Sequence, residues 1–164
     1  MTANMVSQAE TEDISISLQR VGILPGAVVL TLDGETSVEA LRAGARVITR
    51  DQGAVVLRGI SRQSVETYAV RILAGSLGHT RPERDVILPA EQPLLIRDWR
   101  AEALFGASQA MMHARRLVDG EFVTDLGERS LTLYRLEFDT PHVIYADGLE
   151  LGSDPMSDVV SKAS

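Results

Sequence analysis

Three histidines, His79, His113 and His142, are the only side chains that titrate ordinarily near neutral pH, and the chain has no cysteine. The lack of cysteine removes thiol nucleophiles, thiolate metal ligands and disulfides together, and it leaves the redox compartment undetermined. The histidines are too widely spaced for a local metal motif, so a zinc site would need distant Asp or Glu to converge on them. Asp139 and His142 with a serine would supply the parts of a hydrolase triad. No Gly-x-Ser-x-Gly elbow accompanies them, and the serines fall in loops or near the termini. Gly75-Ser76-Leu77-Gly78 has neither the lysine nor the strand-to-helix setting of a phosphate loop. These residues point to no cofactor and no metal.

A net charge of −7 opposes nucleic-acid binding, which needs a concentrated basic face. The arginines are scattered from Arg20 to Arg135, and Lys162 is the only lysine. Met1 to Glu10 lacks the basic start and apolar stretch of a signal peptide, and no run reaches the length of a membrane span. Cytoplasmic residence, away from membranes, is the default expectation.

The 164 residues suit one domain with a sizeable core. With 4% aromatics against 45% hydrophobics, that core rests on Val, Leu, Ile and Ala. Short Val/Ile/Leu runs broken by Gly, Pro and Asp-Gly predict strands and an all-β fold. Pro25-Gly26 suits a type II turn, and Ala27 to Leu32 reads as a strand closed by Asp33-Gly34. Ser37 to Arg42 reads as a short helical segment capped by Ser37 and stopped by Gly44. Further strands are expected at Val47–Thr49, Ala54–Ile60, Tyr68–Leu73, Val86–Leu88, Leu94–Ile96, near Phe122 and from Leu131 onward. A loop is expected from Gly75 to Arg84. Ala107 to Val118 has the best helical composition, which puts Met111 and Met112 in a helix core and His113 on a helix surface. Trp99 is expected to shield the core from a hairpin.

Leu-x-x-Gly-x-x-Val occurs twice, from Leu41 to Val47 and from Leu117 to Val123. Each copy reads as a helical turn that stops at Gly and feeds a strand, with Gly permitting the reversal. The spacing suits two related halves. Residues 1–21 read as a polar lead-in, within which Ile14 and Ile16 alternate with Ser and can add an edge strand. Residues 22–151 form the domain, and 152–164 a flexible tail.

Three blocks carry a resemblance to a known family. The first runs from Leu24-Pro25-Gly26 through Asp33-Gly34 to Val47. The second is Arg84 to Leu95, containing Pro89-Ala90-Glu91-Gln92-Pro93. The third is Tyr134 to Leu151, a strand, a turn with His142 beyond it, a strand, a Gly break and a last strand. In this order they resemble the Hedgehog/intein (Hint) superfamily, specifically the bacterial Hint-type domains outside true inteins, over about residues 22–151. The resemblance implies a flattened, horseshoe-like all-β fold with pseudo-twofold symmetry.

It also implies a chemistry that this chain lacks the parts to perform. Hint domains begin with a Cys or Ser that attacks the preceding carbonyl, and the matching position is Gly22. A His in the second block protonates the leaving nitrogen, and its place falls on or next to Gln92, whose amide does not exchange protons near neutral pH. The closing-segment His is kept as His142. The Asp that assists in inteins is replaced by Arg135, with Asp139 nearby but unmatched, and Gly152-Ser153 stands where inteins have His-Asn. The expectation is therefore a degenerate Hint-type domain without self-cleavage. It would bind a peptide or protein at a vestigial cleft of Gly22, Gln92, His142 and the Gly75–Arg84 loop. The alternative is an active autoproteolytic Hint domain using a non-standard nucleophile such as Ser17 or Thr31. On the first reading, Gly22→Cys with Gln92→His is expected to restore thiol-dependent cleavage.

Overall fold

A computed structural model describes residues 20–78 and 80–156. The first β-branched run forms β1 (Val28–Thr31), which turns at Leu32-Asp33 into β2 (Gly34–Ser37). β3 (Arg46–Thr49) and β4 (Gly53–Val56) make a second hairpin. Both are locked by a buried threonine at the strand end. Thr31 Oγ1 accepts from Asp33 N (3.1 Å) and donates to Gly34 O (2.9 Å); Thr49 Oγ1 accepts from Gln52 N (3.0 Å) and donates to Gly53 O (2.8 Å). A hydroxyl satisfied in this way tolerates burial, because its desolvation is compensated.

Two long strands, β5 (Gly59–Ile72) and β9 (Val123–Glu137), pair from Gly59↔Glu137 to Ile72↔Val123. Sequence reading divides each into shorter pieces, because their middles are polar. The partner strand supplies the continuity, with a bulge at Ala69/Val70 absorbing the extra residue. β6 (Val86–Pro89) joins β5, giving a three-stranded sheet in the order β6-β5-β9. The larger sheet uses β7 (Pro93–Ile96), β8 (Ala110–His113), β10 (Val143–Ala146) and β11 (Leu149–Gly152). Its order is β2-β1-β3-β10-β11-β7-β8, with β4 beside β3. The adjacent runs Val86–Leu88 and Leu94–Ile96 therefore part into different sheets.

The helix expected over 107–118 is not there. Ala110–His113 pairs with β7, and Ala114–Leu117 is a 3-10 turn. Pairing wins over helical composition because it buries Ala110, Met112 and His113 on the core. His113 is thus buried, with Nε2 at 2.9 Å from Met156 O, rather than on a helix surface. The α-helix lies earlier, at α1 (Trp99–Phe105), where Asp98 accepts from Arg100 N (2.9 Å) and Gly106 ends it in the left-handed conformation. Trp99 lies on α1 at 68% exposure with the Arg100 guanidinium 4.8 Å from its ring centroid, so it does not shield the core. Ser37 precedes a single 3-10 turn, Val38–Ala40, without a capping bond from its side chain.

The two Leu-x-x-Gly-x-x-Val copies adopt the same course. Each leaves a 3-10 turn, reverses at a positive-φ glycine (Gly44 at +94°, Gly120 at +82°) and feeds a strand, β3 or β9. Leu41, Val47, Leu117 and Val123 are all buried in the one principal core. Gly152, expected to begin the tail, is the last residue of β11. Ser153 is buried and bonded to His142, and Met156 O meets His113, so the chain stays tied down to that point. Residues 157–164 and the Ile14/Ile16 segment lie outside the described residues.

Leu94 of β7 is fully buried opposite Leu151 of β11, and both belong to the principal core. Leu94→Ala is expected to lower the unfolding free energy by about 2–5 kcal/mol, measured by urea titration.

Candidate functional site

Gly22 sits where the chain enters the domain, between buried Val21 and Ile23. Ile23 and Tyr134 exchange both backbone bonds (2.9 and 2.7 Å), which clamps this entry onto β9. The clamp leaves no room beside Gly22. A Cβ there would lie 2.7 Å from Tyr134 O and 3.1 Å from Leu133 Cβ, and φ is +151°. Only glycine fits this close approach without displacing backbone.

Gln92, at 1% exposure, follows a tight turn in which its N–H donates to Pro89 O (3.0 Å). Its side-chain Oε1 accepts from Gly22 N (2.9 Å), while Nε2 donates to Pro93 O (2.9 Å) and Gly152 O (2.8 Å). The network fixes the orientation of the amide. Turning it over would set two donors head to head at Gly22 and an acceptor against two carbonyls. Gln92 thereby ties the chain entry to β7 and to the end of β11.

His142 joins this group through the hydroxyl and the backbone N–H of Ser153. His142 N donates to Ser153 Oγ (3.0 Å) and Ser153 N to His142 O (2.9 Å). The buried imidazole is held at Nδ1 by Asp51 Oδ2 (2.7 Å) and lies 3.2 Å from Thr140 Oγ1 at Nε2, with the Phe138 ring edge-on at 5.4 Å. Asp51 also accepts from Val143 N (3.0 Å). Burial raises the Asp51 carboxyl, but the Val143 N–H and the His142 contact together outweigh it, and the pKa is lowered from its ordinary value. Sequence reading missed Asp51, for nothing local marks a hairpin-turn aspartate as the partner of a histidine 91 residues away.

Of the other candidates, Arg135 adjoins this group and Asp139 does not. Asp139 pairs with Arg58 at 3.0 Å on the exposed surface. Arg135 lines a cavity with Gly22, Gln92 and Ser153; its buried Nε has no hydrogen-bond partner among the described residues, and its Nη2 is 3.5 Å from Asp154. That cavity measures about 10 Å³, at the lower limit for a single water molecule. The Gly75–Arg84 loop, whose His79 is outside the described residues, does not line it. Its residues reach Asp147 and Glu150 instead. Thr31 Oγ1 is spent within its own hairpin, and Ser17 lies outside the described residues. Among the described residues no cluster of three or more His, Asp or Glu is placed to hold a metal ion, and no helix is long and apolar enough to cross a membrane.

An all-β horseshoe of two related halves, with its entry residue clamped to the closing segment and facing the second block, defines a Hint-type fold. A family model described as the Hint domain matches residues 21–154, and the chain belongs to that family. Solved structures of similar fold include a DnaB intein from Synechocystis sp. PCC 6803 (TM-score 0.56, 9% identity, 81% of this chain and 98% of that one). Others are a bacterial intein-like domain from Clostridium thermocellum (TM-score 0.52, 13% identity, 81% and 97%) and the gp41-1 intein (TM-score 0.50, 13% identity, 79% and 96%). At such identities the likeness establishes the fold. No curated protein matches the chain.

Gln92→Ala would leave Gly22 N–H unpaired and remove the side-chain donor from the Pro93 and Gly152 carbonyls. It is expected to lower stability by about 2–4 kcal/mol in urea titration, more than an exposed Gln→Ala change. Asp51, with its lowered pKa, contributes stability above its unfolded-state pKa and loses it as pH falls through the folded-state value. Wild type is therefore expected to exceed Asp51→Asn in stability at neutral pH, with the gap closing below about pH 4 in thermal melts.

Proposed function

We propose that this is a folded Hint domain that no longer cleaves itself and serves as an interaction module. The observation carrying the first half is the hydrogen bond from Gly22 N to Gln92 Oε1. In the acyl shift that the fold supports elsewhere, a side-chain heteroatom of the entry residue attacks the preceding carbonyl, and the amide nitrogen leaves with a proton. Gly22 has no heteroatom, and the space its side chain would need is filled by Tyr134 O and Leu133. The group facing the nitrogen is an acceptor, locked in that sense by two carbonyls on its other end. A carboxamide facing the wrong way supplies no proton.

The second half rests on an outward surface rather than on the former centre. A cavity of about 10 Å³ admits no peptide side chain, and Gln92 is saturated by its own chain. The peptide-binding role expected for the cleft is therefore assigned to open grooves elsewhere on the domain.

Intact mass of the full chain after prolonged incubation with hydroxylamine tests the loss of cleavage. A single species at full mass is expected; a fragment ending at Val21 would overturn the proposal. The double change Gly22→Cys with Gln92→His is likewise expected to remain uncut under thiol, against the expectation from sequence, because the new Cβ meets the Tyr134 carbonyl.

A further inference from the structure

Two open grooves share Asp147 as a lining residue. The first, about 250 Å³, lies between the Ile23–Ala27 segment and β6. The second, about 240 Å³, is lined by Val28, Leu30 and Tyr145 together with Glu35 and Glu83.

The first groove has a strand edge for a wall. Among the described residues β6 pairs with β5 alone, at the end of its sheet. Ala90 N donates to Tyr68 O (2.9 Å), in phase with the Val70↔Leu88 and Ile72↔Val86 pairs. In an antiparallel ladder this turns the backbone groups of Val86 and Leu88 toward β5 and those of Ile87 toward the free edge. Pro89, which follows Leu88, has no N–H, and its carbonyl accepts from Gln92 N. The edge therefore offers one donor and one acceptor, both at Ile87, opposite the apolar wall of Leu24 and Pro25.

The second groove has more acidic than basic side chains, Glu35, Glu83 and Asp147 against Arg81. Arg81, which also lines it, is turned to Glu150 at 3.4 Å. Asp147 is engaged by Arg84 (2.8 Å) and Val28 N (3.1 Å). Glu35 and Glu83 are exposed and make no ion pair or side-chain hydrogen bond among the described residues. Two carboxylates beside an aromatic and an aliphatic surface complement a cation carried on an apolar stem.

We propose that the two grooves form one track for an extended segment of a partner protein. The segment pairs with β6 at Ile87, sets an apolar side chain against Leu24 and Pro25, and places a lysine or arginine between Glu35 and Glu83. This rests on the reading of the domain as an interaction module and gives its partner a chemistry: alternating, strand-forming and basic at one end. Main-chain bonds at a sheet edge supply affinity and the flanking contacts supply selection.

The test is fluorescence anisotropy at low salt with a labelled octapeptide of alternating valine and threonine ending in two lysines. The same peptide with two glutamates, and a form N-methylated at alternate residues to block strand pairing, serve as comparisons. Saturable binding of the lysine peptide alone is expected. Glu35→Gln with Glu83→Gln should weaken it by about tenfold, while Glu66→Gln with Glu128→Gln, on the exposed β5–β9 ribbon, should leave it unchanged. Equal binding of lysine and glutamate peptides, undiminished binding of the methylated form, or no effect of the Glu35/Glu83 change would each overturn the track. No saturable binding by a chain that is folded by circular dichroism and intact by mass would also overturn it, while leaving the loss of self-cleavage standing. Cleavage at Val21–Gly22 with binding retained would do the reverse.

Discussion

The Gln92 carboxamide holds together three pieces of chain that are distant in sequence: the entry at Gly22, the start of β7 at Pro93, and the end of β11 at Gly152. A neutral amide is suited to this place, with an N–H on one side and two carbonyls on the other. A carboxylate would repel the carbonyls, and an alkyl group would leave buried polar atoms unpaired. The clamp of Ile23 onto Tyr134 restrains the same short entry segment through its own pair of backbone bonds. Gly22 is the residue that lets the segment lie so close to β9.

The same geometry is what supports the proposed loss of cleavage. An acyl shift requires the reacting nitrogen to gain a proton and the preceding carbonyl to meet a nucleophile. Here the nitrogen gives its own hydrogen to an acceptor, and backbone fills the nucleophile's space. His142, the one histidine kept from the resembling segment, is bound to Asp51 and tied through Ser153 to the end of β11, so its contacts are those of a structural cross-link. On the proposed reading the former centre serves as a joint, and two open grooves lie elsewhere, beside Asp147.

Much of the fold was legible in the residues. The Pro-Gly and Asp-Gly turns, the Val/Ile runs and the repeated Leu-x-x-Gly-x-x-Val locate most strands, and the order of three blocks carries the family. Gly22 and Gln92 were legible as positions but not as partners, because a hydrogen bond across 70 residues has no local signature. The 107–118 segment misleads, since its Ala and Met content favours a helix while the edge of β7 offers pairing and burial that outweigh propensity. The true helix at Trp99–Phe105 is short and marked only by Asp98 and Gly106. The exposure of Trp99 and the burial of Glu150 between Arg97 and Arg81 are settled by tertiary placement, which neither composition nor spacing encodes.

Amide hydrogen exchange at Gly22, read by NMR together with the Gln92 side-chain amide protons, probes the central joint most directly. Slow exchange of all three, with Gly22 alone becoming fast in Gln92→Ala while Ile23 and Tyr134 stay protected, is the predicted result. Exchange of Gly22 at the rate of an open peptide in the wild-type chain would contradict the account.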